Sequence, residues 1–235
     1  MKLTLRDRFL LPTVTVVIVG MIISTIISYV NAERALDKAL KGQIRQIVNS
    51  TAENLDAWVE RTSLDIESWS ENEVLRTAFQ DSFVGKAARK SASQQLAKMK
   101  DAYKFYLSIN AADAKGNVIV SSEETAPSEG FNISYTKSFR KSMDGEIYIS
   151  DVNKNESGMP EFLISCPVME GGKISGVLFG VVDPEYFSSV SIESVKVGQT
   201  GYAFMFNREG IVFAHPEKSQ ILESGYPLDS SNHNM

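Results

Sequence analysis

The fold of this chain is decided by two apolar runs, Glu161-Phe-Leu-Ile-Ser-Cys-Pro-Val168 and Lys173-Ile-Ser-Gly-Val-Leu-Phe-Gly-Val-Val182. Both runs are short and rich in β-branched and aromatic residues, which is typical of strands. The segment Glu170-Gly-Gly172 between them supplies residues that adopt positive φ without strain. The sequence therefore predicts two antiparallel strands in the body of a sheet.

Shorter segments complete the predicted sheet. Tyr103–Asn110 and Asn117–Ser121 flank the turn Asp113-Ala-Lys-Gly116, which predicts a hairpin. Ile147–Val152 has the composition of a further strand, and Tyr135–Met143 that of a short helix. Five strands with a helix between the second and the third are typical of an antiparallel α+β module.

The hairpin pattern recurs near the end of the chain. Asp113-Ala-Lys-Gly-Asn-Val118 and Asn207-Arg-Glu-Gly-Ile-Val212 place an Asx residue, a glycine and a valine at a constant offset of 94 residues. Because such turns are common, three matching positions alone do not establish a repeat. We expect a second module over 195–235 that contains one hairpin and ends in a polar tail.

An uncharged segment of 22 residues, Phe9–Val30, lies near the N-terminus. At about 1.5 Å per residue, it is long enough to cross a hydrocarbon layer of ~30 Å as a helix. Basic residues precede it, and positive charge favours the cytoplasmic side of a membrane. These residues are Lys2, Arg6 and Arg8.

A cleaved signal peptide is the alternative, because Val30-Asn31-Ala32 offers small residues to a peptidase. The apolar segment is longer than the core of a signal peptide, which has about 7 to 15 residues. We therefore favour an uncleaved anchor. Residues 1–8 are then cytoplasmic, residues 9–30 form the transmembrane helix and residues 31–235 lie outside the cytoplasm.

After the anchor, apolar residues recur at steps of three and four, which predicts a long helix over 31–79. They are Leu36, Leu40, Ile44, Ile47, Val48, Ala52, Leu55, Trp58, Val59, Ile66 and Trp69. A helix far longer than the globular average needs a partner for this stripe. It packs against its own domain, against a second copy in a homodimer, or against both. Residues 84–100 predict a second, shorter helix.

The composition excludes several classes of function. The net charge is −5 and the basic residues form no stripe, which is unlike a surface that binds nucleic acid. The single cysteine, Cys166, lies in an apolar run and is typical of a core residue. The two histidines, His215 and His233, show no metal-ligand spacing. Without a nucleophile beside a base, a phosphate loop or a dinucleotide motif, the sequence predicts a non-enzyme that uses no metal and no cofactor.

The chain resembles the double Cache (dCache) sensory domains of bacterial chemoreceptors and related receptors. The resemblance includes the anchor, the long helix and five segments in this order: Tyr148-Ile-Ser-Asp-Val152, Ile164-Ser-Cys-Pro-Val168, Gly176-Val-Leu-Phe-Gly-Val-Val-Asp183, Gly198-Gln-Thr-Gly-Tyr-Ala-Phe204 and His215-Pro216. It implies two PAS-like modules on one long helix, a membrane-distal one over 80–190 and part of a membrane-proximal one over 195–235. It also implies a dimeric periplasmic sensor, anchored in the bacterial inner membrane, whose distal module binds a small molecule.

The same resemblance implies a ligand site. Family members that bind amino acids hold the carboxylate with an arginine beside aromatic residues, and the ammonium with tyrosines and an aspartate. Tyr135, Tyr148 and Asp183 match two of the aromatic positions and the aspartate. Ile133 stands where the arginine is expected. This departure disfavours an amino acid as the ligand. It leaves another small metabolite, such as an organic acid, an amine or a purine, as the expected ligand.

Structural roles are the alternative for each of these residues. Asp183 precedes Pro184, and an aspartate in that position commonly caps the helix that follows. Both tyrosines have the alternative role of core aromatic residues whose hydroxyls find a backbone partner. His215 has the alternative role of supporting the end of a strand. A solvated helix face is the simpler interpretation of the basic residues Lys137, Arg140 and Lys141.

Residues 31–235 contain no second apolar segment long enough to span a membrane. We therefore expect a fragment of a longer receptor, or a truncated form, without its output domain. Chemotaxis is the expected pathway by analogy, and the sensor of a histidine kinase or a diguanylate cyclase is the alternative. Two other classes of protein are alternatives. A pilin-like subunit would have an acidic residue inside its apolar segment, and Phe9–Val30 has none. A secreted binding protein would need cleavage near Ala32.

Overall fold

The computed structural model describes residues 5–123, 131–155, 160–192, 195–197, 201–207 and 209–223. Three features predicted from the sequence lie wholly or partly outside these residues: the basic N-terminal segment, the first part of the Gly198 motif and the polar tail with His233. The chain divides into two compact units, Met1–Ala52 and Glu53–Met235.

Helix α1, Leu5–Ser70, is one α-helix of 66 residues that contains the predicted anchor. In the first unit, the large apolar side chains between Val14 and Ile27 are exposed. Among the described residues, α1 is the one helix long and apolar enough to cross a membrane.

Helix α1 ends before the predicted limit at Phe79. Residues 71–72 separate it from α2, Glu73–Ala78. The Asn72 side chain accepts hydrogen bonds from the backbone N–H groups of Val74 and Leu75, at 3.0 and 3.4 Å. A side chain in this N-cap position begins a new helix because it satisfies N–H groups that have no partner within the helix. The next helix, α3, spans Phe83–Ala102 and matches the second predicted helix.

The second unit contains an antiparallel sheet. Its elements after α3 are β1 Tyr106–Asp113, β2 Val118–Ser121, α4 Lys137–Met143, β3 Tyr148–Ile149, β4 Asn153–Lys154, β5 Pro160–Glu170, β6 Lys173–Val182 and α5 Pro184–Ser191. The strand order is β2-β1-β6-β5-β3, and β4 also pairs with β5. The predicted α+β fold, a long helix followed by an antiparallel sheet, is confirmed.

The two runs that decide the fold, β5 and β6, pair with each other as predicted. Glu170 pairs with Lys173, and the two glycines between them have φ values of 57° and 80°. Two successive positive φ angles give the turn whose twist matches that of the flanking strands. Glycine adopts these angles at little cost because it has no Cβ.

Alternate residues of the strands face two different cores. On one face of the sheet, Ile164 and Leu178 pack in one cluster with Ile66 of α1 and Leu96 of α3. On the other face, residues that alternate with these pack beside α4; the cluster consists of Ala112, Ile133, Phe139, Val177 and Phe179. The sheet therefore separates α1 and α3 from α4.

Both tryptophans pack against the first face. The Trp69 ring lies 5.0 Å from the Tyr103 ring, and the Trp58 ring lies 5.3 Å from the Phe105 ring, between centroids. Both pairs meet edge to face, a geometry that adds to the free energy gained from burial.

The C-terminal part of the chain contains short strands. They are β7 Lys196–Val197, β8 Gly201–Tyr202, β9 Met205–Phe206 and β10 Val212–Ala214, followed by a 3-10 turn at Lys218–Gln220. Strand β9 pairs with β10 and β7 with β8, both antiparallel. This region contains the second predicted hairpin.

The two turns related by 94 residues have the same hydrogen bonds. Asp113 Oδ1 accepts from the backbone N–H groups two and four residues later, both at 2.9 Å. Asn207 Oδ1 accepts from the corresponding N–H groups at 3.0 and 2.9 Å. Gly116 and Gly210 follow at the same offset, with φ values of 85° and 79°. The sequence echo therefore marks a repeated structural element.

Candidate ligand-binding face

The face of the sheet that carries α4 is the candidate ligand-binding face. Strand register aligns one row of residues across five strands, and paired residues point to the same face of an antiparallel sheet. The row is Tyr148, Ser165, Phe179, Asn110 and Ser121. Tyr148, a predicted site residue, therefore lies at the β3 end of this row.

A polar network occupies the opposite end of the row. The Ser121 hydroxyl donates to Asn110 Oδ1 at 2.7 Å, and Asn110 Nδ2 donates to the Ser108 hydroxyl at 2.9 Å. Asn110 is only 5% exposed. Sequence reasoning missed these residues, although Ser108 and Asn110 alternate with the buried Ile109 and Ala111 along β1. Polar residues at every second position of an otherwise apolar strand were the available signal.

Serine hydroxyls join α4 to the sheet. Ser142 Oγ donates to Ser165 Oγ at 3.0 Å, and Ser165 Oγ lies 3.2 Å from the Tyr148 carbonyl oxygen. The Thr136 side chain accepts from the Phe139 N–H and begins the helix. These contacts position Lys137, the first residue of α4, beside β3.

The Lys137 ammonium lies 5.4 Å from the centroid of the Tyr148 ring. Its pKa is raised from the ordinary value, first by a hydrogen bond to Tyr148 and further by the negative charge of Asp151. A cation this close to an aromatic face is attracted by the ring. Lys137 is exposed, as a solvated helix face predicts, but it also places a positive charge at the candidate site.

Asp183 follows the last residue of β6. Its backbone N–H donates to the Phe105 carbonyl at 2.9 Å, so it continues the pairing of β6 with the segment before β1. Its Oδ1 accepts from the Glu185 N–H at 2.8 Å, in the first turn of α5. The predicted capping role is confirmed. Asp183 is half-buried.

Tyr135 and Ile133 lie in the segment before α4 and differ sharply in exposure. Tyr135 is 69% exposed, and its carbonyl accepts from Arg140 Nη2 at 2.7 Å. Ile133 is 7% exposed and packs in the apolar cluster with Phe139 and Val177. The position where the family arginine is expected is therefore part of the core in this chain.

Three cavities in the second unit have no lining residue in common with the predicted site. One of about 380 Å³ is lined by residues that include Glu67, Arg76 and Met169, and one of about 390 Å³ lies between α3 and β2. The third, about 240 Å³, has Trp58 and Phe213 in its lining. His215, two residues after Phe213 in the chain, is buried. Its Nδ1 accepts from the Glu217 N–H at 2.9 Å, in line with the structural role considered above.

Comparison with known proteins extends these observations. The family model for the Cache domain, in its dCache_1 form, matches residues 32–232. Curated protein sequences give no match.

Several solved structures share the fold. The sensor domain of the Vibrio cholerae histidine kinase DctB is 17% identical; the match covers 83% of this chain and 73% of that one, with a TM-score of 0.67. The ligand-binding domain of the Pseudomonas aeruginosa PAO1 amino acid chemoreceptor PctC, in complex with GABA, is 19% identical over 78% of each chain, with a TM-score of 0.60. That of the Pseudomonas fluorescens chemoreceptor CtaA, in complex with L-serine, is 19% identical over 75% of this chain and 72% of its own, with a TM-score of 0.57.

Proposed function

Since this chain belongs to the Cache domain family, we propose that it is the ligand-sensing part of a bacterial membrane receptor that signals in chemotaxis. Family members of known structure include sensor domains of chemoreceptors and of a histidine kinase. The observation that carries the proposal is the continuity of α1, which contains both the apolar segment and Ile66 of the sheet core. A helix of this kind links ligand binding in the second unit to a membrane.

The proposed location follows from the same helix. Residues 9–30 anchor the chain in the inner membrane, and residues 31–235 lie in the periplasm, as the basic residues before the apolar segment favour. The modules are a membrane-distal one over 80–190 and part of a membrane-proximal one over 195–235. The repeated turn of Asp113 and Asn207 supports this division.

The proposed ligand site lies on the α4 face of the distal module. Tyr148 and Lys137 supply an aromatic ring and a positive charge, and Asp183 supplies a carboxylate at the end of β6. Tyr135 is the exposed aromatic side chain before α4. These groups suit a small polar metabolite such as an organic acid, an amine or a purine.

Sensing requires no catalysis. A ligand that binds one arrangement of the distal module more tightly than another shifts the population toward that arrangement. Strand β6, which ends just before Asp183, pairs through Val182 with Tyr106, whose ring packs against Trp69 of α1. Strain or ordering at Asp183 is therefore transmitted to α1 through a short series of contacts.

The exposed apolar residues of α1 support a homodimer. Leu36, Leu40, Ile44 and Val48 are all exposed in the single chain and recur at four-residue steps. Pairing two copies of this stripe removes the apolar surface from water, as in a coiled coil. The same stripe is compatible with the second candidate function, the sensor of a histidine kinase.

The test is ligand screening on the 235-residue chain in detergent micelles, followed by thermal unfolding. The panel contains organic acids, amines, purines and L-amino acids. A ligand at 100 times its Kd is expected to add about 2.7 kcal/mol to the free energy of unfolding. Asp183→Asn is expected to abolish the shift, whereas Asp101→Asn, an exposed carboxylate on α3, leaves it intact. A ligand whose shift survives Asp183→Asn contradicts the proposed site, and a cooperative melt without any shift contradicts the sensing of these metabolites.

A further inference from the structure

We propose a second ligand site in the cavity of about 240 Å³ beside Trp58, specific for a small apolar amine. This site is separate from the proposed site at Asp183 and does not depend on it. Its lining comes from α1, from the segment after β3 and from the repeated turn and strand β10. All of these residues belong to the second compact unit.

The cavity is apolar and partly aromatic. Its lining includes Trp58, Val59, Val152, Phe162 and Phe213. The Trp58 and Phe162 rings meet edge to face, with centroids 6.3 Å apart. The volume is just below the range of drug-sized pockets, about 300–1,000 Å³, so it suits a ligand with a single ring or a short branched chain.

The side-chain oxygens of Asn207 and Ser150 in the lining are already bonded within the protein. Asn207 Oδ1 accepts two backbone N–H groups of its own turn. Ser150 Oγ donates to the Asp151 carbonyl at 2.8 Å and accepts from the Leu163 N–H at 2.9 Å. An occupant therefore gains little from hydrogen bonds to these oxygens.

Charge determines the class of occupant. Asp56 and Asp151 line the cavity, both are exposed, and no lysine or arginine is part of the lining. Within the described part of the chain, neither carboxylate forms a salt bridge. An ammonium group is attracted by both carboxylates and by the face of Trp58. A carboxylate ligand would be repelled by the same groups.

The cavity lies where three parts of the second unit meet. Its walls join α1, the edge of the distal sheet and the turn that begins at Asn207. A ligand there contacts both repeated modules and the helix that links them to the membrane. Its binding therefore favours the arrangement in which these three walls are held together.

The experiment uses 19F NMR of the 235-residue chain in micelles, labelled with 5-fluorotryptophan. The chain has two tryptophans, so two signals are expected, and the variant Trp69→Phe assigns them. Titration with 2-phenylethylamine is expected to shift the Trp58 signal and to leave the Trp69 signal in place. Phenylacetate, with the same ring and the opposite charge, is expected to cause no shift.

Two sets of variants locate the binding. The double variant Asp56→Asn, Asp151→Asn is expected to weaken binding of the amine on the order of tenfold, since two exposed ion pairs are lost. Asp101→Asn and Asp183→Asn are expected to leave its affinity unchanged. No shift at Trp58, equal binding of phenylacetate, or an affinity that depends on Asp183 and not on Asp56 and Asp151 would each overturn the proposal.

Discussion

Asp183 Oδ1 accepts a hydrogen bond from the Glu185 backbone N–H at 2.8 Å, so the carboxylate proposed to bind ligand also begins helix α5. The two roles differ in what they require of the side chain. Capping requires an oxygen acceptor, which asparagine also provides, whereas attraction of a cationic ligand requires the negative charge.

We predict that Asp183→Asn retains the stability of the chain and loses ligand binding. Asp183→Ala is expected to lose both, with a decrease of about 1 kcal/mol in the free energy of unfolding. Urea unfolding of the two variants, beside ligand titration, separates the roles. If the asparagine variant is as unstable as the alanine variant, the charge of Asp183 contributes to the fold itself.

Gly180 allows β6 to pack closely on Tyr106. A Cβ at this position would lie 2.2 Å from Tyr106 Cε1, and Tyr106 is buried among other rings. We predict that Gly180→Ala destabilises the chain by about 1–3 kcal/mol, the range for overpacked cores. Thermal unfolding measures the loss. Gly42→Ala is the control, because a Cβ at Gly42 meets nothing within 4 Å. The loss should be smaller in a Tyr106→Leu background; an equal loss there would exclude the ring as its cause.

How far the sequence predicts this fold depends on whether a feature is local. The turn at Gly171 and Gly172 and the turns at Asp113 and Asn207 follow from residues that are adjacent in the chain. The break in the long helix at Asn72 was missed, because the apolar positions on either side continue with similar spacing. The competition between a cap and a continuous helix is settled by packing of Leu75 and Ala78, which are buried.

The candidate site was predictable only where it depends on residues that are adjacent in the chain. The capping role of Asp183 follows from the proline beside it. The position of Lys137 beside Tyr148 requires the pairing of β3 with β5, which brings together residues that the sequence separates. The burial of Ile133 likewise depends on contact with Val177, which is distant in the chain.

Cys166 gives a prediction on pH. It is buried, and burial raises the pKa of its thiol to about 12. Because an unfolded thiol ionises near pH 9, the unfolded state loses this proton first, and stability falls as the pH rises from about 9 to about 12. We predict that Cys166→Ala reduces the decrease in the free energy of unfolding between pH 7 and pH 11 by up to about 3 kcal/mol. Urea unfolding between pH 7 and pH 11 tests this, and parallel pH profiles for both proteins would contradict it.

The proposed homodimer is testable by disulfide formation. Cys166 is the only cysteine and is buried, so a cysteine introduced on α1 is the one accessible thiol among the described residues. We predict that Leu40→Cys, on the exposed apolar stripe, forms a cross-linked dimer under mild oxidation in membranes. Lys38→Cys, on the opposite face of the helix, is expected to form little cross-linked dimer. Equal cross-linking at both positions would indicate random collision rather than a paired stripe.

The last prediction concerns L-amino acids. Several proteins of similar fold are solved in complex with amino acids, including CtaA with L-serine and L-alanine. In this chain Ile133 occupies the position where the family arginine is expected, within an apolar cluster. The cation beside Tyr148 is Lys137, a point charge that cannot form two parallel hydrogen bonds with a carboxylate. We therefore expect common L-amino acids to bind weakly or not at all in isothermal titration.

A simple substitution is not expected to restore amino-acid binding. Ile133→Arg would bury an unpaired charge beside Phe139, and it should destabilise the fold rather than create a carboxylate site. Lys137→Gln, with Lys141→Gln as the control on the same helix, tests the role of the cation beside Tyr148. Tight binding of an L-amino acid that Lys137→Gln abolishes would contradict the prediction. It would show that one lysine beside Tyr148 can replace the arginine, because the ring and the ammonium together fix the carboxylate.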